Sequence, residues 1–244
     1  MTISPTHGNI PILLIPGYWL GSWAWDDVTR KLEAKGLQAQ GVTLPGLASQ
    51  HTPRELIRFA DHVTYVTELL RNCSTQAIVV AHSGAGAIAS AVADTMPEAL
   101  RRIIYVDSGP VSNGTIPRPD LSLTDVELPF PGFETLTTMG ASSRGLSLED
   151  KRHITKRAVP HPVGAICEAI ELRNPQRNIV PATMVCCSAS SQTVRSLATE
   201  GNPMFAPIND LSDVTFVDVP TGHWPMFSES DALAELIARA VEGD

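Results

Sequence analysis

Three polar side chains of types suited to nucleophilic catalysis are Ser83, Asp107 and His223, and each comes after a run of apolar residues. A serine hydroxyl becomes a strong nucleophile when a neutral imidazole accepts its proton, and a carboxylate can fix the tautomer of that imidazole. Because such apolar runs predict parallel strands, we expect the three side chains at one edge of a sheet. They form a candidate triad for cleaving a carboxyl-derived bond.

The segment around Ser83 predicts a sharp turn from a strand into a helix. Residues 77–85 read AIVVAHSGA, an apolar run that leads through small residues into a helix-compatible stretch. A turn that strains the backbone at its centre needs small side chains two positions before and after, which Ala81 and Ala85 provide. A serine among small residues is more often a turn or helix-cap residue, so its partners decide the interpretation.

His223 is the histidine whose surroundings fit a general base. It follows Gly222 and precedes Trp224 and Pro225, between the last predicted strand and the last predicted helix. A histidine in that loop can reach a nucleophile on the same sheet edge, and the order Ser, acid, His suits such a site. The histidines that lack this context are interpreted as structural: His7, His51, His62, His153 and His161.

The acid of the triad has several candidates. The predicted strand 183–187 runs into residues 188–193, which contain no carboxylate. Asp107 ends the strand that follows the serine turn and its helix, so we favour it. The alternative is that Asp107 only caps its loop, and that a later carboxylate serves instead. Those later candidates are Glu200, Asp210 and Asp213, whereas Asp218 is disfavoured because the strand pleat fixes its direction.

The loop at residues 15–25 reads IPGYWLGSWAW. With this loop, the serine turn and the histidine loop, the chain resembles the α/β-hydrolase family over nearly its whole length, from Ile12 to Ile237. Two motifs depart from the family patterns: alanines replace both glycines of G-x-S-x-G, and Pro16 replaces the histidine of the H-G…W loop. That histidine often braces the loop, so its support must differ here. The resemblance implies an α/β fold with a mostly parallel sheet, and an oxyanion hole formed by the backbone N–H groups of Tyr18 and Gly84. It also implies a packing or supporting role for His82.

The tryptophan-rich loop and the AHSGA turn look most like a small bacterial branch near plant methylesterases and hydroxynitrile lyases. This implies a cofactor-free serine hydrolase, without a metal, that cleaves a small, fairly apolar ester, lactone or carbamate through an acyl-enzyme. Two alternatives are a lyase of the same fold that uses Ser83 and His223 as acid and base, and a small-ligand receptor that has kept the triad. Apolar and aromatic residues near these loops are candidates for the pocket: Trp19, Phe130, Phe133, Met139 and Trp224.

The elements that must position these residues alternate between strands and helices. Strands are expected at 10–15, 38–43, 77–81, 103–106, 183–187 and 214–217, and helices at 25–35, 59–70 and 231–241. The chain of 244 residues suits one large domain. Residues 108–180 interrupt the alternation and predict a mostly helical cap, with helices at 148–159 and 163–172, inserted between core segments 1–107 and 181–244.

Composition narrows the partners of the protein. The formal charge is −8 and basic residues do not cluster, which disfavours nucleic acid and membrane surfaces as partners. Residues 1–9 do not resemble a signal peptide, and the four cysteines are expected to be reduced thiols without metal-binding spacing. We therefore expect a cytoplasmic monomer or homodimer that acts on a small molecule.

Overall fold

The computed structural model describes residues 10–242 and contains eight strands. They are β1 (Ile12–Ile15), β2 (Ala39–Gly41), β3 (Ala77–His82), β4 (Leu100–Val106), β5 (Glu127–Leu128), β6 (His161–Pro162), β7 (Ala182–Cys186) and β8 (Val214–Asp218). Six of them form one parallel sheet in the order β2-β1-β3-β4-β7-β8, and β5 pairs with β6 in an antiparallel ribbon. The six predicted sheet strands are confirmed, with small shifts at their ends.

Within residues 10–242, eight α-helices accompany these strands. They are α1 (Asp26–Ala34), α2 (Phe59–Arg71), α3 (Ala85–Thr95), α4 (Phe133–Thr138), α5 (Leu148–Arg157), α6 (Ser191–Thr199), α7 (Pro225–Ser228) and α8 (Ser230–Glu242). The helices predicted at 25–35, 59–70, 148–159 and 231–241 are confirmed as α1, α2, α5 and α8. Gly36 follows α1 with a φ of +77°, the left-handed conformation in which glycine ends a helix.

The two faces of the sheet bury separate apolar clusters. Ile12 and Leu14 of β1 face a cluster that includes residues of α1 and α8, whereas Leu13 and Ile15 face a cluster that includes residues of α2 and α3. Because successive side chains of a strand point to opposite faces, a strand covered on both faces must be apolar throughout. The continuous apolar runs of the sequence reflect this two-sided burial.

The inserted segment, residues 108–180, is less helical than the sequence predicts. It contains α4, α5 and the ribbon β5–β6, and much of the remainder is turns and irregular chain. The helix predicted at 163–172 is wrong, since only the three residues Val163–Ala165 form a short 3₁₀ turn. Beyond that turn, the backbone at Ile166 and Ile170 hydrogen-bonds to residues 114–118, and these tertiary bonds replace a helical ladder.

Arg54 ties the inserted segment to the core. Its side chain is buried, and its guanidinium donates to the carbonyl oxygens of Ser49 and Pro160 and pairs with Glu127 at 3.2 Å. Pro160 and Glu127 belong to the inserted segment, so one buried charge joins the two parts of the chain. A buried guanidinium is costly unless each N–H has an acceptor, which favours this single arrangement.

The four cysteines are free thiols, as expected. Cys186 and Cys187 lie in the apolar clusters of opposite sheet faces, which keeps the two neighbouring sulfurs apart. Within residues 10–242, no helix is long and apolar enough to span a membrane, and no three acidic, cysteine or histidine side chains are grouped to hold a metal ion. The expectation about a signal peptide concerns residues 1–9, which lie outside the described part of the chain.

Candidate active site

The candidate site lies at the carboxyl end of the sheet, where the strand order changes direction. The chain runs from β1 to β2 on one side and then returns to β3 on the other side of β1. Loops that follow strands on either side of such a point diverge and leave a crevice. The loop after β1 and the turn after β3 therefore open onto the same crevice, with the loop after β4 next to them.

Ser83 occupies the strained turn that the sequence predicts. Its φ is +54°, in the left-handed region that residues other than glycine rarely adopt, and both Ala81 and Ala85 are buried. The Ser83 carbonyl oxygen accepts hydrogen bonds from Gly86 N–H at 3.0 Å and from Ser108 Oγ at 2.5 Å. A Cβ on Gly86 would collide with Ser108, so this glycine lets the loop after β4 close onto the turn.

Ser83, His223 and Asp107 form one hydrogen-bonded chain. The Ser83 Oγ lies 2.8 Å from His223 Nε2, and His223 Nδ1 lies 2.6 Å from Asp107 Oδ2. Since the carboxylate can only accept, Nδ1 carries a proton and Nε2 of a neutral ring is free to accept the proton of Ser83. The His223 and Asp107 side chains are 17% and 13% exposed, so the chain is largely shielded from water but reachable.

Asp107 is held by donors from the loop after β7, where the sequence has no carboxylate. Oδ1 accepts from the backbone N–H groups of Cys187 at 3.3 Å and Ser188 at 2.8 Å, and Oδ2 also accepts from Ser188 Oγ at 2.6 Å. Burial alone would raise the pKa of Asp107, but the bonds from His223 and Ser188 outweigh it and lower the pKa to about 2. The carboxylate is therefore ionised at neutral pH. Ser188 was missed by sequence reasoning, because a serine after a strand has no distinctive pattern.

The alternative acids do not reach the imidazole. No hydrogen bond within residues 10–242 joins His223 to a carboxylate other than Asp107. Asp218 instead accepts from Ser191 N–H and Ser191 Oγ, both at 2.6 Å, and Glu200 accepts from Ser196 Oγ at 2.8 Å. Asp210 and Asp213 are exposed. Of the candidate acids, Asp107 alone has the geometry to orient His223.

Residues 16–21, the loop expected to contribute to an oxyanion hole and called the oxyanion loop below, offer one backbone donor, and the serine turn offers another. The N–H groups of Tyr18 and Gly84 donate to no partner within residues 10–242. The Tyr18 ring lies against Gly84, and a Cβ on Gly84 would collide with it. Burial raises the pKa of the Tyr18 phenol to about 12, so it stays protonated. The two expected oxyanion residues are thus neighbours with free N–H groups.

His82 joins the oxyanion loop to the loop that carries His223. Its Nδ1 accepts from Gly17 N–H at 3.2 Å, and its Nε2–H donates to the His223 carbonyl oxygen at 2.7 Å. Burial, together with the nearby His223, lowers the pKa of His82 to about 3, so the ring is neutral and can fill both roles. The side chain thus supports both loops, the kind of role that the family resemblance implies.

An aromatic arc, formed by Tyr18, Trp19, Phe130, Phe133 and Trp224, runs from the oxyanion loop to His223. Successive rings meet edge to face with centroids 5.1 to 5.8 Å apart, and Trp224 ends the arc against His223. Four of the five predicted pocket residues belong to this arc. Met139 does not: it follows α4, just before Gly140 turns the chain with a φ of +91°, and the residue is 55% exposed.

The inserted segment also supports the loop that carries His223. The His223 N–H donates to the Ser142 carbonyl oxygen at 2.7 Å, and Arg144 Nη2 donates to the Thr221 carbonyl oxygen at 2.7 Å. A Cβ on Gly222 would collide with the backbone of Ser142 and Arg144, so the close approach requires glycine. These contacts join residues far apart in the sequence and had no signal in it.

The fold agrees with the comparisons. A model of the alpha/beta hydrolase family matches residues 12–236, and the chain belongs to that family. The expected fold and the expected class, a hydrolase, are therefore confirmed. No curated protein matches the chain by sequence.

Solved structures share the fold at low sequence identity. One is an extracellular α/β-hydrolase from a Paenibacillus species, which is 18% identical to this chain with a TM-score of 0.74. The alignment covers 95% of this chain and 98% of that protein, which is described as sharing structural and functional homology with tobacco salicylic acid binding protein 2. An Arabidopsis methylesterase is 19% identical with a TM-score of 0.73, covering 96% and 100%. A pyrethroid hydrolase from Sphingobium faniae is 18% identical with a TM-score of 0.69, covering 96% and 97%.

Proposed function

We propose that this protein is a cofactor-free serine hydrolase that cleaves small, fairly apolar carboxylic esters, lactones or carbamates through an acyl-enzyme. The observation that carries the proposal is the hydrogen-bonded chain from Ser83 Oγ through His223 to Asp107 Oδ2. The esterase and hydrolase descriptions of the structural neighbours support the same class. The apolar aromatic arc that ends against His223 favours a substrate of low polarity.

In the proposed reaction, Ser83 Oγ attacks the substrate carbonyl carbon while its proton passes to His223 Nε2. The carbonyl oxygen becomes an oxyanion that accepts hydrogen bonds from Tyr18 N–H and Gly84 N–H. The carbon–oxygen bond to the alcohol then breaks, and His223 gives its proton to the departing oxygen. Water repeats the sequence against the acyl-enzyme, which releases the carboxylic acid and restores Ser83. Asp107 stays ionised and stabilises the imidazolium throughout.

The inserted segment, residues 108–180, is proposed to act as a cap that closes one side of the crevice. Its contacts with the loops of Tyr18 and His223 support this role. The cytoplasmic location and the monomeric or homodimeric state stay predictions.

The test is a panel of p-nitrophenyl esters, lactones and aryl carbamates, with intact-mass detection of an acyl group on Ser83. We expect turnover, a transient acyl adduct, and loss of both in Ser83→Ala. Turnover retained by Ser83→Ala would refute the nucleophile. Cleavage of a cyanohydrin or a carbon–carbon bond without an adduct would favour the lyase, and saturable binding without any product would favour the receptor.

A further inference from the structure

Two imidazole rings hold the oxyanion loop on either side of Tyr18. His82 Nδ1 accepts from Gly17 N–H at 3.2 Å, and His161 Nδ1 accepts from Trp19 N–H at 3.5 Å. Tyr18 lies between these residues, and its own N–H has no acceptor within residues 10–242. The neighbouring amides are thus occupied, which leaves the middle one free for an anionic ligand.

The backbone of Trp19 needs support from outside the loop. Its φ is +66°, a left-handed conformation that is strained for a bulky side chain. Besides the bond to His161, the Trp19 carbonyl oxygen accepts from Val159 N–H at 3.0 Å, and its indole Nε1–H donates to the Leu128 carbonyl oxygen at 2.9 Å. All three partners belong to the inserted segment.

His161 is itself fixed in place. It lies in β6, where it pairs with Leu128 of β5, and it is 2% exposed. Its ring packs on the Tyr18 ring with centroids 4.6 Å apart. Burial lowers the pKa of His161 well below its usual value, with smaller effects from His62 and Arg54, so Nδ1 remains an acceptor at neutral pH.

We propose that His161 is a positioning residue for the oxyanion hole. His161 accepts the hydrogen bond of Trp19 N–H while His82 accepts that of Gly17 N–H, and together they aim the free N–H of Tyr18 at the charge that develops beside Ser83. The inference rests on the proposed function. The family pattern has a histidine at the position of Pro16, and that histidine often braces the oxyanion loop. In this protein, His161 of the inserted segment supplies the support instead.

The test compares three variants of the full-length protein. His161→Leu removes the acceptor but keeps apolar bulk, and His161→Asn restores an acceptor close to the Nδ1 position. His153→Leu is the matched control, since His153 also belongs to the inserted segment but packs on Trp23 and Phe227. If His161→Leu does not fold, His161→Phe replaces it, because it keeps a ring against Tyr18.

The readouts are kcat and KM for a p-nitrophenyl ester, and the affinity for a trifluoromethyl ketone, which forms an oxyanion adduct with a serine. Removing an oxyanion donor costs about 10²- to 10³-fold in kcat, so a misaimed donor should cost about 10- to 100-fold in His161→Leu. We expect KM to stay nearly constant and ketone affinity to fall in proportion to kcat/KM. His161→Asn should recover most of both losses, and His153→Leu should lose neither.

Three results would overturn the inference: unchanged kcat in His161→Leu, a loss confined to KM, or an Asn variant as impaired as the Leu variant. In each of these the wild-type protein still turns over ester, so the proposed function stands. Absence of wild-type turnover, together with no labelling of Ser83 by a fluorophosphonate, would instead overturn the proposed function and this inference with it.

Discussion

The substitution Asp107→Asn tests the orientation of His223 directly. In the wild type, the two oxygens of Asp107 receive four hydrogen bonds, from Cys187 N–H and Ser188 N–H on Oδ1, and from Ser188 Oγ and His223 Nδ1 on Oδ2. An asparagine must replace one acceptor with an NH₂ donor. An NH₂ at the Oδ1 position would face two fixed backbone N–H groups, so it will occupy the Oδ2 position.

There, the NH₂ group faces His223 Nδ1 and turns that nitrogen into an acceptor. The neutral ring then carries its proton on Nε2, which points at Ser83 Oγ 2.8 Å away and can no longer accept the serine proton. A wrong tautomer of this kind lowers kcat by about 10⁴-fold. That factor corresponds to about 5 kcal/mol of transition-state stabilisation.

The assay measures kcat for a p-nitrophenyl ester and the rate at which a fluorophosphonate labels Ser83, which reports the nucleophile without turnover. The matched control is Asp218→Asn, since Asp218 also receives bonds from a serine N–H and a serine Oγ but does not contact His223. Asp218→Asn should keep full activity. A decrease of less than about tenfold in Asp107→Asn would refute the tautomer mechanism, because a lost proton acceptor predicts about 10⁴-fold.

Three further predictions follow from the same contacts. Ser188→Ala removes a hydroxyl that donates to Asp107 at 2.6 Å, so carboxyl NMR titration should show the pKa of Asp107 raised from about 2. The kcat should fall about tenfold, as expected for the loss of a hydrogen bond to a charged group. An unchanged pKa of Asp107 would contradict this role of Ser188. Gly84→Leu should lower the free energy of unfolding by about 1–3 kcal/mol and slow the labelling of Ser83, because the new Cβ meets the Tyr18 ring. Adding Tyr18→Ala to this variant should recover the stability. A double variant as unstable as Gly84→Leu would show that the collision with Tyr18 is not the cause. Burial lowers the pKa of His62 to about 4, that of His82 to about 3 and that of His161 well below its usual value. Below about pH 6.5 the unfolded chain therefore binds protons that the folded protein excludes, and the free energy of unfolding should decrease as the pH is lowered, by up to about 1.4 kcal/mol per pH unit for each histidine. Urea titrations at several pH values should show a shallower pH dependence of this free energy for His62→Gln than for His51→Gln, a control at an exposed site.

Sequence patterns predicted most of the core because these patterns are local. Apolar runs specify strands buried on two faces, and small residues around Ser83 permit its φ of +54°. The prediction of a helix at 163–172 failed because Ile166 and Ile170 make backbone hydrogen bonds to residues 114–118, far back along the same inserted segment. Helical spacing cannot reveal such partners, since it reflects only contacts between residues three or four positions apart.

The sequence by itself determined the class of fold, the serine turn and the histidine loop, since each depends on neighbouring residues. Only the tertiary structure decided among the acids: Asp107 meets His223 across 116 positions, and donors of Ser188 hold its carboxylate there. It also decided what holds the oxyanion loop, because His161 reaches Trp19 across 142 positions. Hydrogen bonds of that range depend on the path of the whole chain, which no local pattern records.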